Sequence, residues 1–185
     1  MQKKATRISV LALTLLATAC TASYKVVQTD GHTGQQPLDG AASVYVALPK
    51  DGSYGSKNYG GSGRIVAGTI ARELSSKAAG VEVGEEAEGR DGALSSARKV
   101  GARYAVIPVI THWEHRATEW SGRPSRMSID VSVYDAASEK RLNSRSLTAR
   151  SRIVSFTPTS PESLLTKPIR DYVNALYGRT APAED

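Results

Sequence analysis

Tyr104-Ala105-Val106-Ile107-Pro108-Val109-Ile110 carries the strongest strand signal in the chain. A continuous apolar run that is rich in β-branched residues is typical of a strand covered on both faces. Ser43–Leu48 has the same character and reads Ser-Val-Tyr-Val-Ala-Leu before Pro49 ends it. Since Pro108 has no backbone N–H, it must lie at a sheet edge, at a bulge or at the end of a ladder of hydrogen bonds.

Two helices and a short strand are predicted between these two runs. Ser62 can cap a helix, and Gly80 closes it. Gly92–Val100 has the apolar spacing of a second helix. Between the helices, Val81–Val83 predicts a short strand and Glu85–Asp91 an acidic turn.

The second half of the chain predicts an antiparallel meander followed by one helix. Apolar and polar residues alternate over Met127–Tyr134, which is typical of a strand with one buried face. Arg141–Val154 predicts a further strand at the sheet edge, where charged side chains discourage pairing. Ser160-Pro161-Glu162 is a helix start, and Pro168 should kink that helix or split it in two. The edge charges are Arg145, Arg150 and Arg152.

The order of elements predicts an α/β fold of mixed α+β character, built on one sheet of about five strands. Right-handed crossovers place the first three strands in parallel, with the first of them in the middle. The meander then adds two antiparallel strands, so the predicted strand order is 2-1-3-4-5 with helices packed on the sheet. Residues 43–178 are expected to form this single domain, and residues 179–185 a disordered tail.

Residues 1–19 predict an export signal that ends at the only cysteine of the chain, Cys20. Its apolar run is too short to span a bilayer as a helix, and small residues precede the cysteine. This pattern resembles a bacterial lipoprotein signal, in which the thiol receives the lipid; the alternative is an ordinary signal peptide with an incidental cysteine. By resemblance to the enterobacterial sorting rule, Thr21 favours the outer membrane, with the domain facing the periplasm. Residues 20–42 predict a flexible tether, with an edge strand over Tyr24–Val27 as the alternative.

The composition supports a folded domain and argues against a nucleic-acid partner. Hydrophobic residues make up 40% of the chain, which is enough for a core. The formal net charge is +6, and removal of residues 1–19, with their three basic residues, leaves +3. Nucleic acid needs a clustered basic face rather than a small surplus spread along the chain. With Cys20 acylated no thiol remains, so stability has to come from packing.

Several stretches of the chain form a recognisable set, of which the tryptophan-bearing ones are the most specific. They are Val44–Pro49, Asp51-Gly52, Tyr54-Gly55, Gly61-Ser62-Gly63, Trp113-Glu114, Arg116–Gly122 and Thr159–Leu165. Together they resemble an uncharacterised family of proteobacterial lipoproteins with a domain of unknown function of the 4823 type. The resemblance covers nearly the whole chain after the signal, and it implies a location without implying an activity. More distantly, the order of elements resembles small α/β domains of envelope assembly proteins, an analogy of fold alone.

Two unusual segments leave the carboxyl ends of neighbouring strands. Lys50–Gly63 is a glycine-rich loop, and Thr111–Trp120 is polar and aromatic. In an open α/β sheet, ligands favour the crevice outside these ends, at the point where the strand order reverses. We therefore expect the two segments to form one binding surface. Its candidate residues are Tyr54, Tyr59, Gly61, Ser62, Gly63, Arg64, Trp113, Glu114, Arg116, Glu119, Trp120 and Arg123.

Each segment also has a plainer interpretation. The glycine-rich loop could hold an anion at a helix N-terminus, but it matches neither a phosphate loop nor a dinucleotide fingerprint. A turn-rich loop ordered by the packing of Tyr54 and Tyr59 is the favoured alternative. Residues 113–123 supply interface anchors, a hairpin that covers one end of the core, or both.

No set of residues predicts catalysis, a metal or a cofactor. His112 and His115 should point to opposite faces of a strand, and no cysteine completes a ligand set. No serine lies in a nucleophile elbow, and Asp130 has no partner carboxylate nearby in sequence. The sequence therefore predicts a non-enzymatic, lipid-anchored adaptor that binds another envelope protein or a cell-wall component. The alternative is a small module that binds an anionic ligand through the glycine-rich loop.

Overall fold

The computed structural model describes residues 23–28, 36–115, 124–151 and 161–179. Over these ranges, a mixed sheet of six strands carries three helices, and a two-stranded hairpin lies in the glycine-rich loop. None of the helices in these ranges has the length and apolar content needed to cross a membrane. The strands are β1 (Ser23–Gln28), β2 (Ser43–Leu48), β3 (Ser53–Tyr54), β4 (Lys57–Asn58), β5 (Gly80–Ala87), β6 (Tyr104–Glu114), β7 (Arg126–Asp135) and β8 (Arg141–Arg150). The helices are α1 (Ser62–Leu74), α2 (Arg90–Lys99) and α3 (Pro161–Leu176).

The sheet has the strand order β1-β8-β7-β6-β2-β5. β5, β2 and β6 run parallel, whereas β7, β8 and β1 continue the sheet in antiparallel fashion. The mixed α/β class is confirmed. The predicted order 2-1-3-4-5 corresponds to β5-β2-β6-β7-β8 in the sheet. The strand count is corrected from about five to six, and the order gains β1 at one end, because this short segment finds its partner far along the chain.

β1 arises inside the segment that was expected to be a tether. Ser23–Gln28 pairs along its whole length with Arg145–Arg150, so the structure shows the alternative of an edge strand. β8 consequently lies between β7 and β1 and is not an edge strand. The prediction that Arg145 and Arg150 lie on an edge strand is therefore wrong. Arg152 lies outside the described residues.

The sheet separates two apolar layers. The larger layer lies under α1 and α3 and includes every residue of the apolar stripe predicted for α3. The smaller layer lies under α2 and is centred on Tyr45, Leu94 and Ile107. Because α3 is one continuous helix through Pro168, this proline does not split it. The stripe residues are Leu164, Leu165, Ile169, Tyr172, Val173 and Leu176.

Some strand boundaries differ from the predicted ones, because the strands continue beyond the apolar residues that predict them. β5 continues through Glu85 and Glu86 to Ala87, so the first three of the seven residues predicted as an acidic turn are strand. The parallel ladder between β2 and β6 ends at Val106. Pro108 thus lies beyond the last rung of that ladder, as its missing N–H predicts.

Candidate functional site

The glycine-rich loop and the end of β6 meet at the carboxyl end of the parallel strands. The closest approach is at Gly52, where an added Cβ would lie 2.5 Å from the Cβ of Trp113 and 2.8 Å from the Cγ2 of Ile110. Only a residue without a side chain fits between them, which explains the glycine. The predicted meeting of the two segments is therefore observed as far as His115, the last described residue of the second segment.

Two tyrosines fasten the loop to β6. The Tyr59 hydroxyl lies 3.3 Å from the backbone nitrogen of His115, from which it accepts a hydrogen bond, and 3.4 Å from its carbonyl oxygen. The Tyr54 ring packs edge-on against His112, with 5.1 Å between the ring centroids. Lys57 places its ammonium group 4.8 Å from the centroid of the Tyr59 ring, a cation–π contact. The loop is thus ordered by its tyrosines, which is what the plainer interpretation predicts.

Trp113 belongs to the core, which corrects its expected place on the surface. Its side chain is only 2% exposed. β6 shifts register between Ile110 and His112, and this irregularity sets Trp113 opposite Met127 on the core side of β7. An extra residue in one strand reverses the alternation of faces beyond it. Sequence alternation alone does not reveal the bulge.

Glu114 is also buried, at 6% exposure, and its carboxylate oxygen lies 3.4 Å from the Nε2 of His112. The side chain of His112 is 35% exposed, so this contact joins a buried carboxylate to a partly exposed imidazole. Among the described residues, no three histidine, cysteine, aspartate or glutamate side chains gather as a metal site requires. Arg116, Glu119, Trp120, Arg123 and the lipidation candidate Cys20 lie outside the described residues.

A carboxylate from the loop holds the start of α1. Asp51 accepts hydrogen bonds from the backbone N–H groups of Gly61, at 3.1 Å, and Gly63, at 2.8 Å. Ser62 was expected to be the cap. Instead, its hydroxyl donates to the Tyr59 carbonyl and accepts from the Gly52 N–H, both at 2.7 Å. The sequence pattern missed Asp51 because this residue lies eleven positions before the first residue of α1.

This arrangement bears on the anion-binding alternative. The N–H groups of Gly61 and Gly63, which an incoming anion would need, already donate to the Asp51 carboxylate. An added Cβ at Gly63 would lie 2.3 Å from the Pro49 carbonyl oxygen, so the backbone is also closely packed there. Arg64 is exposed beside this site. The Asp51 carboxylate therefore already occupies the position at the start of α1 that a bound anion would take.

The capping bonds make a pH prediction for Asp51. The hydrogen bond from Gly63, followed by that from Gly61, lowers the pKa of Asp51 below 3.8, and burial opposes them. A carboxyl group whose pKa is lowered on folding stabilises the protein above its unfolded pKa, and this contribution is lost as the pH falls through the folded value. We expect Asp51→Ala to lower the free energy of unfolding by about 1 kcal/mol at neutral pH. The deficit relative to wild type should shrink below about pH 4.

Urea denaturation followed by circular dichroism at several pH values measures this effect. Glu86→Ala, which removes an exposed carboxylate from edge strand β5, is the matched control. It should change the free energy of unfolding by less than about 0.5 kcal/mol. A deficit for Asp51→Ala that stays constant down to pH 3 would contradict a role for the charged form.

The comparisons with known proteins concern family and fold. Residues 36–176 match the family described as a domain of unknown function (DUF4823). No curated protein matches the chain. Among solved structures, the PelC dodecamer from Paraburkholderia phytofirmans is similar at 15% identity with a TM-score of 0.63, over 87% of this chain and 100% of that one. Lipoprotein GNA1162 from Neisseria meningitidis has 16% identity and a TM-score of 0.47, over 74% of this chain and 99% of that one.

At these identities the likeness to PelC concerns the fold alone, and the resemblance to GNA1162 is too weak to support an argument. The family match is of a different kind, because it spans the domain from the residues before β2 to the end of α3. It also agrees with the family that the sequence motifs resemble. The chain belongs to the DUF4823 family.

Proposed function

We propose that the protein is a non-enzymatic adaptor, anchored in the outer membrane through a lipid on Cys20, with its α/β domain in the periplasm. The domain binds another envelope component through a surface made by the glycine-rich loop and the segment that follows β6. We call this surface the loop face. Its described residues are Tyr54, Lys57, Tyr59, Arg64 and His112.

The observation that carries this proposal is the exposure of Tyr54 on a firmly held loop. Its side chain is 44% exposed although the ring packs against His112. Tyrosine is a common interface anchor, because one side chain offers both a large apolar area and a hydroxyl. The hydrogen bonds of Tyr59, Ser62 and Asp51 order the loop before any partner arrives. A surface ordered in advance loses little entropy on binding.

Charge indicates the kind of partner. Lys50 and Lys57 are exposed on this loop, and Arg64 is exposed in the first turn of α1 beside it. The carboxylate of Asp51, its one acidic residue, accepts hydrogen bonds inside the loop. The loop face therefore favours a partner that presents acidic groups around a pocket for an aromatic ring, as complementary charge does at protein interfaces.

The test is a binding measurement with a variant that leaves the fold intact. We expect Tyr54→Ala to reduce cross-linking of the full chain to its envelope partner at least about fivefold, because a central aromatic anchor contributes more than 1 kcal/mol to binding. Circular dichroism should be unchanged, since Tyr54 is 44% exposed and is not part of the apolar core. The measurement is quantitative mass spectrometry of cross-linked products from intact envelopes.

Val100→Ala is the matched control. Val100 is 51% exposed but follows α2, and its truncation should leave the same cross-links in place. Trp120→Ala and Arg116→Ala extend the test to the second segment. Wild-type cross-linking by folded Tyr54→Ala and by the folded double variant of Trp120 and Arg116 would remove the loop face from consideration.

A further inference from the structure

β5 is the strand at one end of the six-stranded sheet, and among the described strands β2 is its single neighbour. None of the eight residues of β5 is buried. An edge strand presents unpaired backbone N–H and C=O groups along its outer side, and these groups can pair with a further extended chain. β5 therefore offers the backbone half of a binding site, and it shares no residue with the loop face.

The side chains of β5 divide between the two faces of the sheet. Val83 pairs with Val46, which belongs to the larger apolar layer. Glu82 pairs with Tyr45, which belongs to the smaller layer. Directly opposed residues of neighbouring strands lie on the same face. Val83 therefore lies on the α1 side of the sheet, and Glu82 lies on the α2 side.

The α1 side of this edge leaves an apolar side chain in solvent. Val83 is 38% exposed, because β5 has no outer neighbour among the described strands to cover it. In a strand added beside β5, every second residue would lie on the α1 side. An apolar residue at that position would pack against Val83, as cross-strand pairs do within a sheet.

The rest of the edge is acidic. Glu82, Glu85 and Glu86 are exposed, and none of the salt bridges between described residues involves them. The chain as a whole is basic, with a formal net charge of +6, so this edge differs in sign from the protein that carries it.

This charge selects among the chains that could pair with β5. Charged side chains on an edge discourage pairing with apolar and like-charged strands. Pairing with β5 of a second copy would bring two sets of glutamates together. Lysine or arginine opposite a glutamate is instead a favourable cross-strand pair. The edge thus favours a basic strand.

We propose that β5 binds an extended basic segment of a partner protein, which adds to the sheet as a further strand. Its lysine or arginine residues lie beside Glu82 on the α2 side, and its apolar residues lie beside Val83 on the α1 side. The register of β5 with β2 is regular over Gly80–Val83 and shifts before Ala87, so the pairing is centred on Gly80–Val83. The proposal does not depend on the loop face.

The test uses the full chain after residue 19 with Cys20→Ser, which prevents acylation at that cysteine. Three fluorescently labelled heptapeptides are titrated by fluorescence anisotropy: one that alternates lysine and valine, one with glutamate for lysine, and the lysine peptide N-methylated at two consecutive central residues. We expect saturable binding of the first and at least about tenfold weaker binding of the other two. Methylation keeps the charge but removes backbone donors from both edges of the peptide, so it separates strand pairing from attraction between charges alone.

Amide hydrogen exchange and variants assign the binding to β5. The lysine peptide should slow exchange of alternate amides in Gly80–Ala87 at least about tenfold and leave those of β1 unchanged. The triple variant Glu82→Lys, Glu85→Lys and Glu86→Lys should reverse the preference between the lysine and glutamate peptides. Asp91→Lys, which reverses an exposed charge in the first turn of α2, should bind as wild type does.

Four results would overturn the proposal. They are absence of binding, equal binding of the three peptides, protection of β1 in place of β5, and protection of β5 that arises without peptide and increases with protein concentration. The last result would assign the edge to a second copy of the chain.

Discussion

Replacing Trp113 with alanine is expected to lower the free energy of unfolding by about 3–5 kcal/mol. The side chain is almost fully buried, and it lies against Gly52 at the end of the core. Its removal loses the transfer free energy of a large aromatic group and leaves a cavity where the loop meets β6. Urea denaturation followed by intrinsic fluorescence or circular dichroism measures the change.

Val109→Ala provides the comparison for this prediction. Val109 lies on the same strand but is 53% exposed, so its truncation should cost less than about 0.5 kcal/mol. The experiment also separates the two interpretations of the tryptophan. A surface anchor would lose binding while the protein kept its stability, so a loss below 1 kcal/mol for Trp113→Ala would contradict the core position.

Gly52→Ala is expected to destabilise the protein by about 1–3 kcal/mol, because an added methyl group overpacks a closed contact. The new carbon would press on Trp113 and Ile110, and the Gly52 N–H would be pushed away from the hydroxyl of Ser62. The loop must then move from β6 or the strand must shift. Thermal and chemical denaturation of the purified domain measure the cost.

Gly60→Ala is a control within the same loop. No heavy atom lies within 4 Å of a Cβ placed at Gly60, and its φ is not in the left-handed region. A methyl group there should be neutral or stabilise by about 0.4–1 kcal/mol through the unfolded chain. Equal effects at the two glycines would mean that the contact between the loop and Trp113 is not closed in solution.

The sequence predicts the order of the five neighbouring strands from β5 to β8 in the sheet because two independent regularities agree. Apolar runs locate Ser43–Leu48 and Tyr104–Ile110, and the right-handed crossover rule then leaves one arrangement of the parallel strands. The stripe of α3 is predictable for a similar reason, since helical spacing marks its buried face. In these two strands and in α3, the residues that the local pattern marks as apolar are the same residues that the tertiary structure buries.

The remaining features depend on partners that are distant in sequence. β1 is a short polar segment whose pairing with β8 involves residues more than a hundred positions away. The face of Trp113 depends on a bulge in β6, and Asp51 reaches the helix start across a loop. Of the predicted loop face, the contacts of Tyr54 and Tyr59 with β6 are observed, whereas its role in binding stays a prediction. Arg116, Glu119, Trp120 and Arg123 lie outside the described residues.

The pairing of β1 also limits how far the domain stands from an anchored cysteine. Ser23 follows Cys20 by three positions, and three residues reach at most about 11 Å even when fully extended. A lipid on Cys20 would therefore hold the β1 edge of the sheet close to the lipid headgroups, because the linker is only a few residues long. Since neighbouring strands are spaced about 4.8 Å apart, β5 at the opposite margin is displaced from β1 by roughly 24 Å across the sheet. Such a short attachment would orient the domain, with the β1 edge of the sheet facing the membrane and the β5 edge facing away from it.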